Sequence, residues 1–219
     1  MRKLVFIALL LSIGSFGNAQ IIKGYLAGGI NMAQVDGDEV YGYKKPGANL
    51  GLGALVPFGR NWDISLETSY TQKGANQKEQ YIADTLNGAY KLKLDYVEIP
   101  LMIHYTDKDF VTVGAGASWS KLIRAEEWEH GLQTPTNEGS GTYKPTDISV
   151  ILDLRMRIYK RLKFNFRYNY SMVKIRTRNF TNVGGGAEWS RHQYNNALTF
   201  RLIYIFNEVQ SEKARKEIN

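Results

Sequence analysis

The stretch KFNFRYNYSM, residues 163–172, alternates between two kinds of side chain at every step. Its even positions are large and apolar or aromatic, whereas its odd positions are polar or cationic. A period of two predicts a β-strand with two unlike faces. In a soluble sandwich the aromatic face packs into a core. In an outer-membrane barrel the aromatic face meets lipid and Arg167 points inward, so the rest of the sequence has to decide between the two.

Residues 1–19 have the three parts of a secretory signal peptide. Met1-Arg2-Lys3 is basic, residues 4–13 are apolar except for one serine, and Gly17-Asn18-Ala19 places small residues before a cut at Gln20. The apolar run is too short to span a bilayer as a helix. We therefore expect an exported chain; a buried N-terminal helix is the alternative interpretation.

Composition excludes several classes of protein. The chain has 219 residues, no cysteine and a formal net charge of +7. An exported chain without cysteine is not a small disulfide-stapled fold. The cations alternate with apolar residues along the predicted strands instead of forming a patch, which argues against nucleic-acid binding. The length after residue 19 suits one domain.

Eight alternating stretches follow one another along the predicted mature chain. They cover residues 22–32, 48–58, 62–71, 89–105, 110–120, 148–158, 162–172 and 194–206. The connections between them alternate between long and short, with long ones at 33–47, 72–88, 121–146 and 174–193. This asymmetry predicts an eight-stranded antiparallel transmembrane β-barrel with short periplasmic turns and long extracellular loops. Both termini then lie in the periplasm, and residues 207–219 form a polar periplasmic tail.

Residues 89–105 change phase midway. Large residues occupy even positions from Tyr90 to Tyr96 and odd positions from Ile99 to Tyr105. The pattern predicts a β-bulge near Pro100, because a bulge shifts the strand by one residue and proline cannot donate to the ladder.

The polar faces of these strands carry charges of both signs. We predict that they form a structural network in the barrel interior, made of Asp63, Glu67, Asp95, Glu98, Asp153, Arg155, Arg157, Lys163, Arg167 and Arg201. Paired charges avoid the cost of burying a lone one, and an eight-stranded barrel is just wide enough for side chains to fill. Small residues at 51, 53, 114, 116 and 118 leave room for the arginines. We therefore expect a plugged barrel rather than an open pore.

A family resemblance supports this interpretation. The stretches GANLGLGALVPFG (47–59), ISLETSYTQKGA (64–75) and above all YVEIPLMIHY (96–105) resemble PorT-like outer-membrane β-barrel proteins. The resemblance covers nearly the whole predicted mature chain and implies a Gram-negative outer membrane. The namesake takes part in protein secretion across that membrane and in gliding motility. The resemblance gives Glu98 and Pro100 a structural role, and it implies no cofactor.

Catalytic and metal-binding patterns are weak. Ser190, His192 and Glu188 lie close together in the fourth long loop, as a hydrolase or acyltransferase site would require, but proximity in sequence is not triad geometry. The first long loop contains residues 36–39 (DGDE), which lack the spaced ligands of a calcium loop. Residues 126–130 (EEWEH) are typical of solvated loop charge facing cations or lipopolysaccharide. We expect no enzyme activity and no metal.

Aromatic residues stand in otherwise polar loops. The candidates for contacts with a partner are Tyr41, Tyr43, Trp128, Tyr143 and Trp189. They fit equally well a role in packing the loops together or in the lipid interface. The function hypotheses are a structural or partner-binding protein accessory to secretion or envelope assembly, a small passive channel, an outer-leaflet lipid-modifying enzyme, and a soluble lipocalin-like binder. Expected partners are outer-membrane lipid, lipopolysaccharide and envelope or secretion proteins.

Overall fold

A computed structural model describes residues 22–58, 60–80, 87–181, 186 and 188–208. The strands, in chain order, are β1 (Lys23–Asp36), β2 (Lys45–Pro57), β3 (Trp62–Gln77), β4 (Tyr90–Asp107), β5 (Val111–Glu129), β6 (Leu132–Gln133), β7 (Thr146–Tyr159), β8 (Leu162–Ser171), β9 (Arg176–Thr181) and β10 (Glu188–Ile205). The predicted signal peptide and most of the predicted tail lie outside the described residues. Within them, no helix has the length and apolarity needed to cross a membrane.

Eight of these strands form a closed antiparallel ring. The order is β1-β2-β3-β4-β5-β7-β8-β10, and β10 pairs with β1 to complete the ring. The short β6 pairs only with β5, and β9 pairs only with β10 among the described strands. Closure leaves no free sheet edge around the ring, as a membrane-spanning sheet requires. The predicted eight-stranded antiparallel barrel is thus confirmed.

The ring has two unlike ends. At one end, called here the short-turn end, tight turns join β2 to β3, β4 to β5 and β7 to β8, and the first and last described residues also lie there. At the other, called the long-loop end, the connections are longer. The predicted alternation of long and short connections is therefore present.

The stretch 163–172 shows which face is outside. Its odd-numbered residues from Asn165 to Ser171 are buried inside the ring, and Asn165 has no exposed surface. The intervening residues Phe164 to Tyr170 lie on the outer surface. Large apolar residues are exposed all around the outside of the ring, among them Leu26, Leu52, Leu66, Leu101, Val113, Leu152 and Leu202. The apolar face of the alternating strands is therefore the outer one.

Several strands continue well beyond the predicted ends. β5 extends to Glu129 and β3 to Gln77, both inside segments predicted to be loops. The segment predicted as the fourth long loop contains β9 and the first part of β10. These two strands pair with each other, and the pairing begins where Arg176 lies opposite Gln193. The prediction of strand ends was wrong here, because cross-strand pairing continues past the point where the apolar alternation stops.

β4 does not change phase. Its even-numbered residues face inward over the whole strand, from Tyr90 through Tyr96 and Glu98 to His104. What changes is the interior itself, which is apolar near Leu94 and polar from Glu98 onward. The predicted bulge near Pro100 is therefore wrong, because the large residues at even positions fill the inside of the long-loop end and do not face lipid.

The irregularity in this part of the sheet lies on β5 instead. Asp95 pairs with Arg124 and Tyr96 pairs with Leu122, so Ile123 is an extra residue on β5. Both Ile123 and Arg124 are exposed. A bulge of this kind reverses the alternation of the strand that carries it.

Three glycines give room for large interior side chains. A Cβ atom on Gly53 would overlap the phenol ring of Tyr25, and one on Gly114 would overlap the imidazole of His104. A Cβ on Gly51 would lie 2.7 Å from a carboxylate oxygen of Glu67. The small residues were predicted to leave room for arginines. At these positions a tyrosine, a histidine and a glutamate occupy that room.

Gly53→Ala should lower the temperature at which the purified barrel unfolds, because overpacking a filled interior costs about 1–3 kcal/mol. The measurement is the temperature of half-conversion from the fast-migrating folded band to the slow unfolded band on a gel. Tyr25→Ala in the same chain should cancel part of the added cost of the methyl group. Gly24→Ala is the matched control, since its Cβ would meet only Phe206 at an ordinary 3.5 Å; an equal effect of both glycine changes would contradict the overlap.

Candidate functional site

Glu67 is the central carboxylate of the barrel interior. Its two oxygens accept hydrogen bonds from Arg201 at 2.6 and 2.9 Å and face Arg167 at 3.4 to 3.5 Å. The Tyr25 hydroxyl donates a further hydrogen bond at 2.8 Å. All four side chains are buried. A carboxylate shared by two guanidinium groups and a phenol has no oxygen left without a partner.

Asp153 continues this network across the interior. It accepts hydrogen bonds from Arg155 at 2.7 Å and from Arg167 at 3.0 Å. Arg155 also reaches Nε2 of His104, at 3.2 Å, and Ser65 Oγ lies 2.8 Å from the same nitrogen. Because a guanidinium can only donate, this Nε2 is an acceptor and the ring proton is on Nδ1. The histidine is therefore a member of the packed interior.

A second polar layer lies nearer the long-loop end. Glu98 forms an ion pair with Lys73 at 3.0 Å and accepts hydrogen bonds from Ser120 and Asn169. These side chains are also buried. Apolar clusters fill the space on either side of the polar layers. The one toward the short-turn end contains Tyr25, Ala27, Leu55, Ile203 and Ile205. Buried polar layers and apolar clusters thus follow one another along the described interior.

Most residues predicted for the interior network lie inside the ring. Glu67, Glu98, Asp153, Arg155, Arg167 and Arg201 are buried there. Arg157 and Lys163 lie at the short-turn end, where Glu208 pairs with Arg157 at 2.8 Å and faces Lys163 at 3.8 Å. Asp63 is half-buried at the same end, opposite His104.

Asp95 is a correction to the predicted network. It occupies an odd position of β4 and therefore points outward, where the Tyr70 hydroxyl donates to it at 2.8 Å. It is nevertheless buried. The error follows from the incorrect phase assigned to β4, since the inward-facing neighbours of Asp95 are Leu94 and Tyr96.

A further buried carboxylate, which sequence reasoning missed, lies at the long-loop end. Glu127 accepts hydrogen bonds from Arg176 at 2.8 and 3.0 Å and from Tyr90 at 2.8 Å. Tyr143 adds a longer one at 3.3 Å. Burial alone would raise the pKa of Glu127, but Arg176 and the hydrogen bonds outweigh it and hold this pKa below its usual range. The carboxylate therefore joins β5, β9 and the third long connection.

An apolar core lies beneath this carboxylate. It consists of Val35, Val40, Ala75, Tyr90, Leu92, Leu94, Tyr96, Leu122, Ala125, Tyr143 and Ile175. These residues come from β1, β3, β4 and β5 and from three of the long connections. The long-loop end is thus an ordered structure with its own core, extending the barrel past the polar layers.

The aromatic candidates for partner contacts divide into exposed and packed residues. Tyr41 is 79% exposed. Trp189 is partly exposed, stacks on Phe180 and donates its indole N–H to Glu39 at 2.9 Å. Tyr43 is half-buried and donates to Asn196 on the outer wall.

Trp128 and Tyr143 differ from the prediction of loop residues exposed for contact. Trp128 belongs to strand β5 and is half-buried. The ammonium groups of Lys91 and Lys93 lie over its ring. Tyr143 is 2% exposed and lies in the apolar core against Glu127. Sequence alone could not separate these two from Tyr41, because burial here depends on strands far away in the chain.

The residues considered for catalysis are not brought together. Ser190 donates to Asn179 at 2.7 Å, and His192 Nδ1 lies 3.0 Å from the Thr177 hydroxyl. Each contact crosses from β10 to β9, and no hydrogen bond links Ser190 to His192 in the described part of the chain. The acidic stretch at 126–130 is divided as well, because Glu127 faces inward. Over the described ranges, no three potential metal ligands are grouped.

The chain is similar to known outer-membrane proteins. The family model described as outer membrane protein beta-barrel domain matches residues 19–176. Neisserial surface protein A has a similar structure, with a TM-score of 0.50, 13% identity, and coverage of 84% of this chain and 97% of that one. For Ail of Yersinia pestis, solved with the heparin analogue sucrose octasulfate, the TM-score is 0.49 and the sequence identity 12%, with coverage of 84% of this chain and 99% of that one. For the protease OmpT of Escherichia coli, the TM-score is 0.35 and the sequence identity 9%, with coverage of 85% of this chain and 94% of that one.

A closed ring of eight strands with an apolar outer face and a polar, ion-paired interior defines an outer-membrane β-barrel. The chain belongs to the outer membrane protein beta-barrel domain family, and its place is the outer membrane of a Gram-negative bacterium. The soluble lipocalin-like alternative is wrong, because the aromatic face of the strands is outside. No curated protein matches the sequence at a significant level.

Arg167→Leu should destabilise the barrel by about 3–5 kcal/mol while still allowing insertion, because it leaves part of Glu67 and Asp153 buried without a cation. The measurement is urea unfolding in detergent or lipid, followed by gel mobility. Arg191→Leu is the control, since Arg191 is exposed and its only carboxylate partner among the described residues is Glu39. A double-mutant cycle with Glu67→Gln isolates the coupling; unfolding unchanged by Arg167→Leu would contradict the ion-pair network.

Asp38, in the turn between β1 and β2, gives a pH-dependent prediction. Burial raises the pKa of Asp38 to about 7, and Asp36 adds to the rise, while the Val40 N–H and Arg178 oppose it. A raised carboxyl pKa means that the folded turn loses stability as pH rises from about 4 to 7. Asp38→Asn should remove this loss, a gain of up to about 4 kcal/mol at pH 8 and none below pH 4.

Limited proteolysis of the long-loop end between pH 5 and pH 8.5 measures this effect. The wild-type turn should become more susceptible as pH rises, after correction for protease activity, and Asp38→Asn should be resistant throughout. Glu138→Gln, at an exposed loop position, is the control and should follow the wild type. Parallel profiles for wild type and Asp38→Asn would show that Asp38 does not control the turn.

Proposed function

We propose that this protein is a non-conducting membrane anchor that presents its long-loop end to a partner protein outside the cell. The observation that carries the proposal is the Glu67 carboxylate, held by Arg201 and Arg167 across the middle of the ring. An ion pair spanning the lumen, with apolar clusters on either side, argues against a continuous aqueous path. In this proposal the charged interior has a structural role.

The orientation in this proposal places the long-loop end outside the cell and both termini in the periplasm. It is supported by the general arrangement of bacterial barrels, in which short turns face the periplasm. The polar tail after Phe206 is then periplasmic, beginning with Glu208 against Arg157.

The partner-binding surface is the hairpin of β9 and β10. Among the described strands, β9 pairs on one side only, so its other edge presents backbone groups to an incoming chain. Trp189 and Phe180 stack next to this edge, and Tyr41 projects nearby from the turn that follows β1. Ion pairs from Arg176 to Glu127 and from Arg178 to Glu129 hold the hairpin in place. A rigid aromatic patch beside a strand edge suits protein recognition.

The resemblance to PorT-like proteins directs the proposal toward an accessory role in protein secretion or envelope assembly. On this view the partner is another outer-membrane or secreted protein. The competing functions make different demands on the chain. A channel needs an open lumen, and a lipid-modifying enzyme needs Ser190 and His192 in contact at the membrane surface.

Two measurements test the proposal. Purified protein in planar bilayers should give no single-channel steps. A photo-crosslinking residue at Tyr41 or Trp189 should capture one envelope protein in intact cells, whereas the same residue at Phe110, exposed at the short-turn end, should not. Trp189→Ala should abolish capture from Tyr41 while leaving gel mobility unchanged. Regular conductance steps, or turnover of phospholipid or lipopolysaccharide that His192→Ala abolishes, would replace the anchor with a channel or an enzyme.

A further inference from the structure

A basic patch lies on the outer wall of β4 and β5. Lys91, Lys93, Lys121 and Arg124 all point outward from these two neighbouring strands. Their positions are adjacent in the sheet, since Lys91 pairs with Trp128, Lys93 with Glu126, and Val97 with Lys121. We call these four cations and Trp128 the basic patch. The basic patch was not visible in the sequence, because the change of phase predicted for residues 89–105 implied that the odd-numbered residues before Tyr96 face inward.

The patch lies at the upper border of the lipid-facing part of the wall, with Lys121, opposite Val97, as its lowest member. Below it on β4, the outward residues are Ile99, Leu101 and Ile103, ending at Tyr105 near the short-turn end. A tilted strand advances about 2.5 Å per residue along the barrel axis, so Lys93 lies about 30 Å above Tyr105. The apolar band of such barrels is about 25 Å tall. Lys93 is therefore at the height of lipid headgroups.

The ring of Trp128 is contacted by two lysines of the basic patch. The ammonium groups of Lys91 and Lys93 lie 5.1 and 4.9 Å from the centre of its ring. Glu126 holds Arg124 by an ion pair and also lies 3.3 Å from Lys93. More than half of the Arg124 side chain is exposed. Among the described residues, the Lys91 ammonium has no carboxylate partner, so it and the exposed part of Arg124 are free to contact an anion.

The charges of the patch do not balance. Its four cations face only two outward carboxylates among the described residues of β4 and β5 at this height, Asp95 and Glu126. The opposite wall at similar height is different, because Tyr168, Tyr170 and Tyr194 stack there beside Asp36. The basic patch and this tyrosine stack thus lie on opposite sides of the barrel.

We propose that the basic patch binds the phosphate groups of lipopolysaccharide in the outer leaflet. Phosphorylated glycolipid is the anionic lipid of that leaflet, and phosphate oxygens accept strong hydrogen bonds from lysine and arginine. The indole ring offers a flat apolar surface to the sugar ring that carries the phosphate. The assignment rests on the proposed orientation, since only that orientation brings the patch to the outer leaflet. It does not depend on the protein partner.

The test compares binding of lipid A to the barrel in phosphatidylcholine nanodiscs by native mass spectrometry. Lys91→Gln with Lys93→Gln should weaken binding about tenfold or more, because a charged hydrogen bond contributes about 1.5–3 kcal/mol. Lys108→Gln with Lys160→Gln removes the same charge at the short-turn end and should change nothing. Lys91→Arg with Lys93→Arg should retain binding. Dephosphorylated lipid A should bind the wild type as weakly as intact lipid A binds the patch variant.

Equal binding by the wild type and the patch variant would overturn the proposal. Equal affinity of the wild type for phosphatidylglycerol would also overturn it, by showing a general preference for anionic lipid. A separate readout tests the orientation, because the chain has no cysteine and Ser140→Cys therefore introduces a single thiol. Labelling of that thiol in intact cells by an impermeant maleimide supports the orientation. Absence of labelling there, with labelling after lysis, would reject the orientation even if lipid A binds in nanodiscs.

Discussion

A carboxylate buried in the middle of a membrane-spanning ring must be surrounded by cations, and this constraint on Glu67 determines much of the interior. Arg201 and Arg167 reach it from β10 and β8, on the far side of the lumen from β3. The long side chains that meet here require small neighbours. A glycine of β2 therefore faces Glu67. Arg167 also contacts Asp153, which ties β7 into the same arrangement. β3 is thus joined across the lumen to three strands that neighbour one another in the ring, β7, β8 and β10.

The two ends of the interior meet different requirements. In the membrane, the outer surface is apolar, so the polar residues of each alternating strand can only be inside. Beyond the membrane, the wall is bathed in water and the same ring is filled by an apolar core. β4 passes through both zones with one face inward throughout, which places Leu94 and Glu98 on the same side of one strand. The interior is thus polar where lipid surrounds the wall and apolar where water surrounds it.

The sequence was most informative where one face of a strand is strictly polar. In residues 162–171 and 146–159, charges alternating with large apolar residues identify both the strand and its inner face. The alternation of long and short connections then identified the class of barrel. A period of two does not say which face is inside, and the presence of large residues at Tyr90, Leu92 and Leu94 was misread as a lipid-facing surface. That single error misplaced Asp95 and concealed the outward position of Lys91 and Lys93.

The remaining features depend on contacts that no local pattern encodes. Arg176 and Glu127 are 49 residues apart in the chain, and their pairing orders a region that composition alone describes as polar loop. The extra residue Ile123 on β5 lies next to Arg124 in an otherwise ordinary sequence, and only the register of β4 against β5 reveals it. Tyr143 is buried and Tyr41 exposed for the same reason, since each depends on which strands surround it in space.

The continuity of the strands affects how tightly the long-loop end can hold another molecule. A binding surface built from flexible loops loses conformational entropy when it becomes ordered, and that loss subtracts from affinity. Here β4 and β5 run without interruption from the short-turn end into the long-loop end, over 18 and 19 residues. The surface at the long-loop end is therefore built on continuous strands before any encounter. A small contact area on such a preorganised surface can hold a ligand that the same residues on mobile loops would release.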